Sequence, residues 1–229
     1  MRRLRTDGTI DRRSRRAVRW WTAVVVAAAT VVASAGADAA SADLRVALCW
    51  TSARLPESSA GDMEAEASAI WAALGVTLVW DSCPSARDAT GPVLVVTDRP
   101  VRSSMSGFTG LGEIPFDDDG SPGTRLHISA AVALDAIEEA AEQQGALTNV
   151  PNALRRAAAV RLLGRAAAHE LGHYMLASRA HATGGLMRRF YLAEEGFARG
   201  PARYGLTRPE RAHLRDRLDR LAQRTAESR

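Results

Sequence analysis

Three of the five histidines fall within thirteen residues: the run His169-Glu170-Leu171-Gly172-His173, then His181. On a helix, residues four apart share one face a turn apart, so the imidazoles of His169 and His173 can be aimed at a single metal ion. Glu170 sits one position round, beside such an ion rather than on it. From there a carboxylate can take a proton from a water whose pKa the metal has lowered. A catalytic zinc usually has three protein ligands and keeps a fourth position for water. His181 is the available third imidazole; as a plain structural residue it would be a loop histidine. The chemistry in view is therefore hydrolysis at one zinc per chain, with His169, His173 and His181 as ligands and Glu170 as general base.

A long helix must carry the pair. From Asn149 to Leu176 the chain is dominated by Ala, Leu and Arg, with Pro151 near the first turn. Ala158, Leu162 and Ala166 continue the His169 face upstream, so the pair ends an apolar, core-facing stripe. Arg165, a turn above His169, needs an acidic partner that the sequence does not identify. Upstream, Leu44, Val46 and Leu48 alternate with Arg45, Ala47 and Cys49 as in a strand. Met63, Ala67, Ile70, Trp71 and Leu74 then repeat at helical spacing, with Gly75 as the stop. Val76 to Trp80 and Val93 to Thr97 are short strand-like runs, the second interior to a sheet.

Pro100 to Gly123 is rich in Gly, Ser, Pro and Asp and reads as a long surface loop. Asp117-Asp118-Asp119-Gly120 within it lacks the spaced carboxylates of a calcium loop and reads as a solvated turn. Arg125 to Ser129 is a further strand with His127 on its outer face, and Ala130 to Gln144 a helix capped by Ser129. Thr207-Arg208-Pro209-Glu210 is a capping box opening a helix with Leu214, Leu218 and Leu221 on one face. No repeat or second core is visible. The elements give a single α/β (α+β) domain, a small mixed sheet packed on the long helix that bears the site.

The net charge of +4 and pI of about 9.8 would suggest nucleic acid as a partner, but the charge is unevenly placed. All 30 basic residues are Arg; eight precede Trp20 and three of the 26 acids lie before residue 40, so 22 Arg face 23 acids in the rest. No nucleic-acid partner is expected. After that basic start, Trp20 to Ala37 carries no charge, and small-residue sites follow at Ala37-Asp38-Ala39 and Ala40-Ser41-Ala42. Residues 1–39 are read as a signal peptide, or as an uncleaved anchor and so the one membrane contact, and residues 40–229 as the working domain. Export across the cytoplasmic membrane follows, leaving the protein secreted, periplasmic or at the cell surface. The only two cysteines, Cys49 and Cys83, are read as one disulfide or as two buried thiols.

From His169 to Met187 the sequence resembles the zincin metallopeptidases, and within them the metzincins, whose motif H-E-x-x-H-x-x-G-x-x-H precedes a Met-containing turn. The resemblance implies a zinc peptidase acting on a peptide or protein. It implies His169 and His173 as zinc ligands, Glu170 as general base and Gly184-Gly185-Leu186-Met187 as the Met-turn, with Met187 fourteen residues after His173. Met187 could equally fill a core gap. Leu176 stands in place of the motif's glycine and Arg179 in place of its third histidine, His181 coming two residues later. In the thermolysin-like branch a glutamate about twenty residues on completes the site, so Glu194 and Glu195 stand beside His181 as candidates. Tyr191 or Tyr204 could serve the oxyanion, and Arg125 to Ser129 could be the edge strand along which a peptide lies. The competing reading is an exported, zinc-binding interaction module without turnover.

Overall fold

Strand β1 (Ala42–Trp50) starts a parallel sheet because its alternate residues Val46 and Leu48 are buried while Asp43 and Arg45 face solvent. The computed structural model describes residues 42–84, 91–102, 109–143, 150–200 and 203–227. The chain divides into Met1–Ala37, which lies outside the described residues together with the expected signal peptide or anchor of residues 1–39, and one unit, Asp38–Arg229. After β1 come α1 (Ala60–Ala72), β2 (Val76–Ser82), β3 (Val93–Thr97), β4 (Val101–Arg102), β5 (Thr109–Gly110) and β6 (Gly112–Glu113). They are followed by β7 (Arg125–Ser129), α2 (Ala130–Gln143), α3 (Asn152–Leu176) and α4 (Arg208–Glu227), with short 3-10 turns at Glu57–Ser59 and Ala193–Phe197. Among the described residues no helix is long and apolar enough to cross a membrane.

The five-stranded sheet has the order β2-β1-β3-β7-β6. β1 pairs in parallel with β2 and β3, and β3 with β7; only β6 is antiparallel, with Gly112 opposite Ile128 and Glu113 opposite His127. Leu94, Val96, Leu126 and Ile128 are fully buried on one face, while Val95, Thr97 and His127 are half-buried on the other. The mixed α/β class matches expectation. Two expectations are corrected. The stretch from Pro100 to Gly123 is not all loop, since it contains β4, β5 and β6, strands of two residues each and so too short to show alternation. The sheet edge beside the site is β6 rather than Arg125–Ser129, which lies between β3 and β6.

Helix α3 runs through the core, buried from Ala158 onward except at Arg161 and Tyr174. Its small side chains let neighbours approach closely. At Gly164 an added Cβ would lie 2.7 Å from the Met63 carbonyl and from Glu66 Cβ, so α1 crosses against bare backbone. Trp71 of α1, wholly buried, donates its indole N–H to the Ala168 carbonyl at 3.2 Å, one residue before the first histidine. The expected terminal capping box forms: Thr207 N–H donates to Glu210 Oε2 at 2.7 Å and Glu210 N–H to Thr207 Oγ1 at 3.4 Å. Ser129 Oγ accepts from Val132 N–H at 3.2 Å, capping α2. Cys49 and Cys83 form a disulfide, their Cα atoms 4.5 Å apart.

Candidate metal centre

The last two turns of α3 carry His169, Glu170 and His173, all buried. The helix then stops in a Schellman arrangement. Ser178 N–H reaches the His173 carbonyl and Ala177 N–H the Tyr174 carbonyl, both at 3.3 Å, with Ala177 left-handed at φ 42°, ψ 48°. Leu176, in the place of the motif's glycine, stays helical, and the left-handed position falls one residue later. Beyond that bend, His181 comes back over the pair. Arg179 turns outward: its guanidinium lies 4.9 Å from the Phe116 ring centre and donates to the Phe116 and Asp117 carbonyls at 3.3 Å. Phe116 in turn meets the His173 ring edge-on at 6.5 Å.

Each buried histidine is held through Nδ1. His169 Nδ1–H donates to the Leu186 carbonyl at 2.8 Å and His173 Nδ1–H to the Ser178 carbonyl at 2.6 Å. With Nδ1 protonated, both Nε2 atoms carry lone pairs, and these face each other at 3.1 Å. Two acceptors at that distance repel unless a cation lies between them. Two donors on a tetrahedral zinc with ~2.0–2.1 Å bonds stand roughly 3.3 Å apart, so the spacing fits. His181, exposed on its loop, completes a group whose ligand atoms all lie within 4.8 Å of one another. Its ring lies parallel to His169 at 5.3 Å and edge-on to His173 at 4.8 Å.

Burial keeps these groups neutral. His169 is held down to about 3, first by desolvation and then by the neighbouring His173. His173 and His181 are also lowered, each chiefly by desolvation. Neutral imidazole is the form that binds a metal. The Glu170 carboxyl moves the other way, up to about 8, because burial disfavours its charge and Glu113 adds a like charge nearby. Edge strand β6 lies directly over it. A Cβ on Gly112 would come 2.7 Å from Glu170 Oε1 and 2.9 Å from Cγ.

Beneath the pair, Met187 packs on the helix at Gly172: a Cβ there would overlap its Sδ and lie 3.2 Å from its Cε. The turn around Met187 is pinned by Ala182 N–H to the Met187 carbonyl at 2.8 Å and Leu186 N–H to the Gly205 carbonyl at 2.9 Å. Gly185, at φ 75°, could carry no side chain, because its Cβ would run into the Gly205 carbonyl. Arg165 finds its acid in Glu66 at 2.8 Å, and it donates further to the Glu195 and Ala198 carbonyls. Sequence reading could not supply that partner, 99 residues away.

Several candidates lie elsewhere. Glu194 and Glu195 do not join the cluster; the Glu195 carboxylate is taken by Arg188 and by the Tyr204 hydroxyl at 2.9 Å. The Tyr204 hydroxyl is thereby taken by Glu195, whereas Tyr191 stays against His169, ring centres 5.7 Å apart, and donates its hydroxyl to the Leu186 carbonyl. Asp117–Gly120 is a turn, closed by Gly120 N–H to the Asp117 carbonyl at 2.9 Å. Gly112 and Gly172 were missed as site residues. The glycine inside the His-Glu-x-x-His run was the available signal for Gly172, whereas nothing local marks Gly112.

No family model and no curated protein matches the sequence. Among solved structures, archaemetzincin (amzA) from Methanopyrus kandleri is similar at 16% identity and a TM-score of 0.48, over 77% of this chain and 96% of that one. A zinc-dependent peptidase from Methanocorpusculum labreanum is similar at 14% identity and a TM-score of 0.47, over 74% of this chain and 99% of that one. Likeness at this level bears on neither activity nor substrate.

Proposed function

We propose that the chain is an exported zinc-dependent peptidase in which His169, His173 and His181 hold one Zn2+ and Glu170 is the general base. The observation that carries this reading is the convergence of three imidazoles within 4.8 Å beside a buried carboxyl. A zinc ion bound there supplies a Lewis acid for the scissile carbonyl and lowers the pKa of a water. Glu170 takes the proton of the attacking water and passes it to the leaving amine. A carboxyl raised towards neutrality is suited to both directions of that transfer. The outer edge of β6, unpaired among the described residues and with Gly112 over Glu170, supports an extended peptide binding there as an added strand. The basic, then uncharged leader and the Cys49–Cys83 disulfide support work in an oxidising compartment.

The test is peptide hydrolysis by the zinc-loaded wild type beside Glu170→Gln. Zinc content should be equal and hydrolysis should fall by at least a hundredfold, in line with loss of a general base. An unchanged rate would sink the assignment of Glu170. Zinc binding without turnover in the wild type would make the chain an interaction module instead.

A further inference from the structure

We infer that Tyr191 is a positioning residue for the metal centre: through the Leu186 carbonyl it fixes the plane of the His169 imidazole, and Arg188 and Glu195 hold Tyr191 in place. The inference rests on the zinc reading above and adds to it residues that no ligand motif marks. The Leu186 carbonyl accepts two hydrogen bonds, one from His169 Nδ1–H at 2.8 Å and one from the Tyr191 hydroxyl. The hydroxyl stands 3.4 Å from His169 Nδ1, the side of the ring away from the Nε2 that faces His173. It is therefore placed to act on His169 from behind rather than to reach the ligand cluster.

A histidine's outer torsion is broad, so the position of the Nδ1 acceptor decides where Nε2 points. That acceptor belongs to a turn containing Gly184 and Gly185, which has little stiffness of its own. Its peptide groups are instead held from outside. Leu186 N–H is bound to the Gly205 carbonyl at 2.9 Å, and Leu186 C=O is bound by Tyr191. Tyr191 is braced in turn. Its ring stacks on Tyr204, with centres 5.7 Å apart and planes 30° off parallel, and the Arg188 guanidinium lies 4.5 Å from its centre and 5.5 Å from that of Tyr204. Arg188 is ion-paired to Glu195, whose carboxylate also accepts the Tyr204 hydroxyl. The Glu195 carbonyl is held by Arg165, a fully buried side chain anchored on Glu66 of α1. A continuous set of contacts thus runs from α1 to the acceptor that orients His169. Such a layout fixes the ring orientation of a ligand without touching the ion.

The experiment uses the full mature protein, freed of metal and titrated with Zn2+ by chelator competition and with Co2+ by visible absorption. Tyr191→Phe keeps the ring, its stacking on Tyr204 and its contact with Arg188, and removes only the hydroxyl. Expected are a dissociation constant for zinc about tenfold weaker, a changed cobalt d–d band and an unfolding temperature of the metal-free form close to that of the wild type. Arg188→Lys keeps the charge for Glu195 but not the planar stack; it should move affinity and cobalt spectrum the same way, and it carries the comparison if Tyr191→Phe does not fold. Zinc affinity within twofold of wild type, with a superposable cobalt spectrum, would overturn the positioning role. A wild type that binds neither metal would overturn the zinc reading itself, and the inference with it.

Discussion

Substituting alanine at Gly172 sets two effects of known size against each other. In a helix interior, glycine to alanine is worth about 1 kcal/mol of stability. At this position the new methyl would overlap Met187 Sδ, lie 3.2 Å from Cε and touch Leu186 Cδ2 at 3.9 Å. Relief requires Met187 to move outward, and overpacking of a buried site costs about 1–3 kcal/mol. The net expectation is a loss of zero to about 2 kcal/mol. The metal site should suffer more than the fold. Met187 adjoins Leu186, whose carbonyl orients His169, and disturbing such an outer partner typically weakens metal binding ten- to a hundredfold. Thermal unfolding of the metal-free protein and zinc titration by chelator competition separate the two quantities. Refutation would be a variant about 1 kcal/mol more stable than wild type with unchanged zinc affinity, the signature of helix propensity acting alone.

Four further outcomes are expected. Ala177→Gly should raise stability by about 0.5–1 kcal/mol, seen as a few degrees in unfolding temperature, because the left-handed φ of 42° strains an alanine by more than glycine's extra chain entropy costs; a drop would contradict that. Glu66→Ala should cost about 3–5 kcal/mol in denaturant unfolding, since it leaves the fully buried Arg165 charge without its carboxylate. Without metal, stability should fall as pH drops below about 6.5: the unfolded chain takes up protons at His169 and His173, whose folded forms resist them. Glu170 acts with the opposite sign, its raised folded pKa costing stability as pH climbs from 4.5 towards about 8. Glu170→Gln should therefore gain on the metal-free wild type by up to ~1.4 kcal/mol per pH unit across that window and level off above it; a pH-independent difference would show that Glu170 is not buried as described.

Much of the fold was readable where the signal is local. The capping box at Thr207 and Glu210, the Ser129 cap, the apolar run Val93–Thr97 and the Ala-rich stripe of α3 each involve neighbours within a few residues. The His169–Glu170–His173 face was readable because helical spacing fixes it. What escaped is long-range or too short to be periodic. β6 has two residues, and its role over Glu170 depends on a glycine whose importance appears only when two distant elements meet. Likewise, Arg165 could not be assigned to Glu66, 99 residues away, since ion pairing across a core leaves no pattern along the chain; Glu195 meets Arg188 and Tyr204 only seven and nine residues off, but in a stretch with no regular period to mark them. The bend that returns the chain towards His181 has a local backbone cause that the sequence does not mark: an alanine, Ala177, takes the left-handed position.

If the three histidines form one zinc site, the zinc content of the chain reveals it. The purified segment 40–229 and its His181→Ala variant would be dialysed against a weak chelator and assayed for metal. Wild type should retain one zinc per chain, and His181→Ala should lose it, because two imidazoles alone leave the ion without its third protein ligand. Equal retention by both would remove His181 from the site, and no zinc in either would contradict the metal centre altogether.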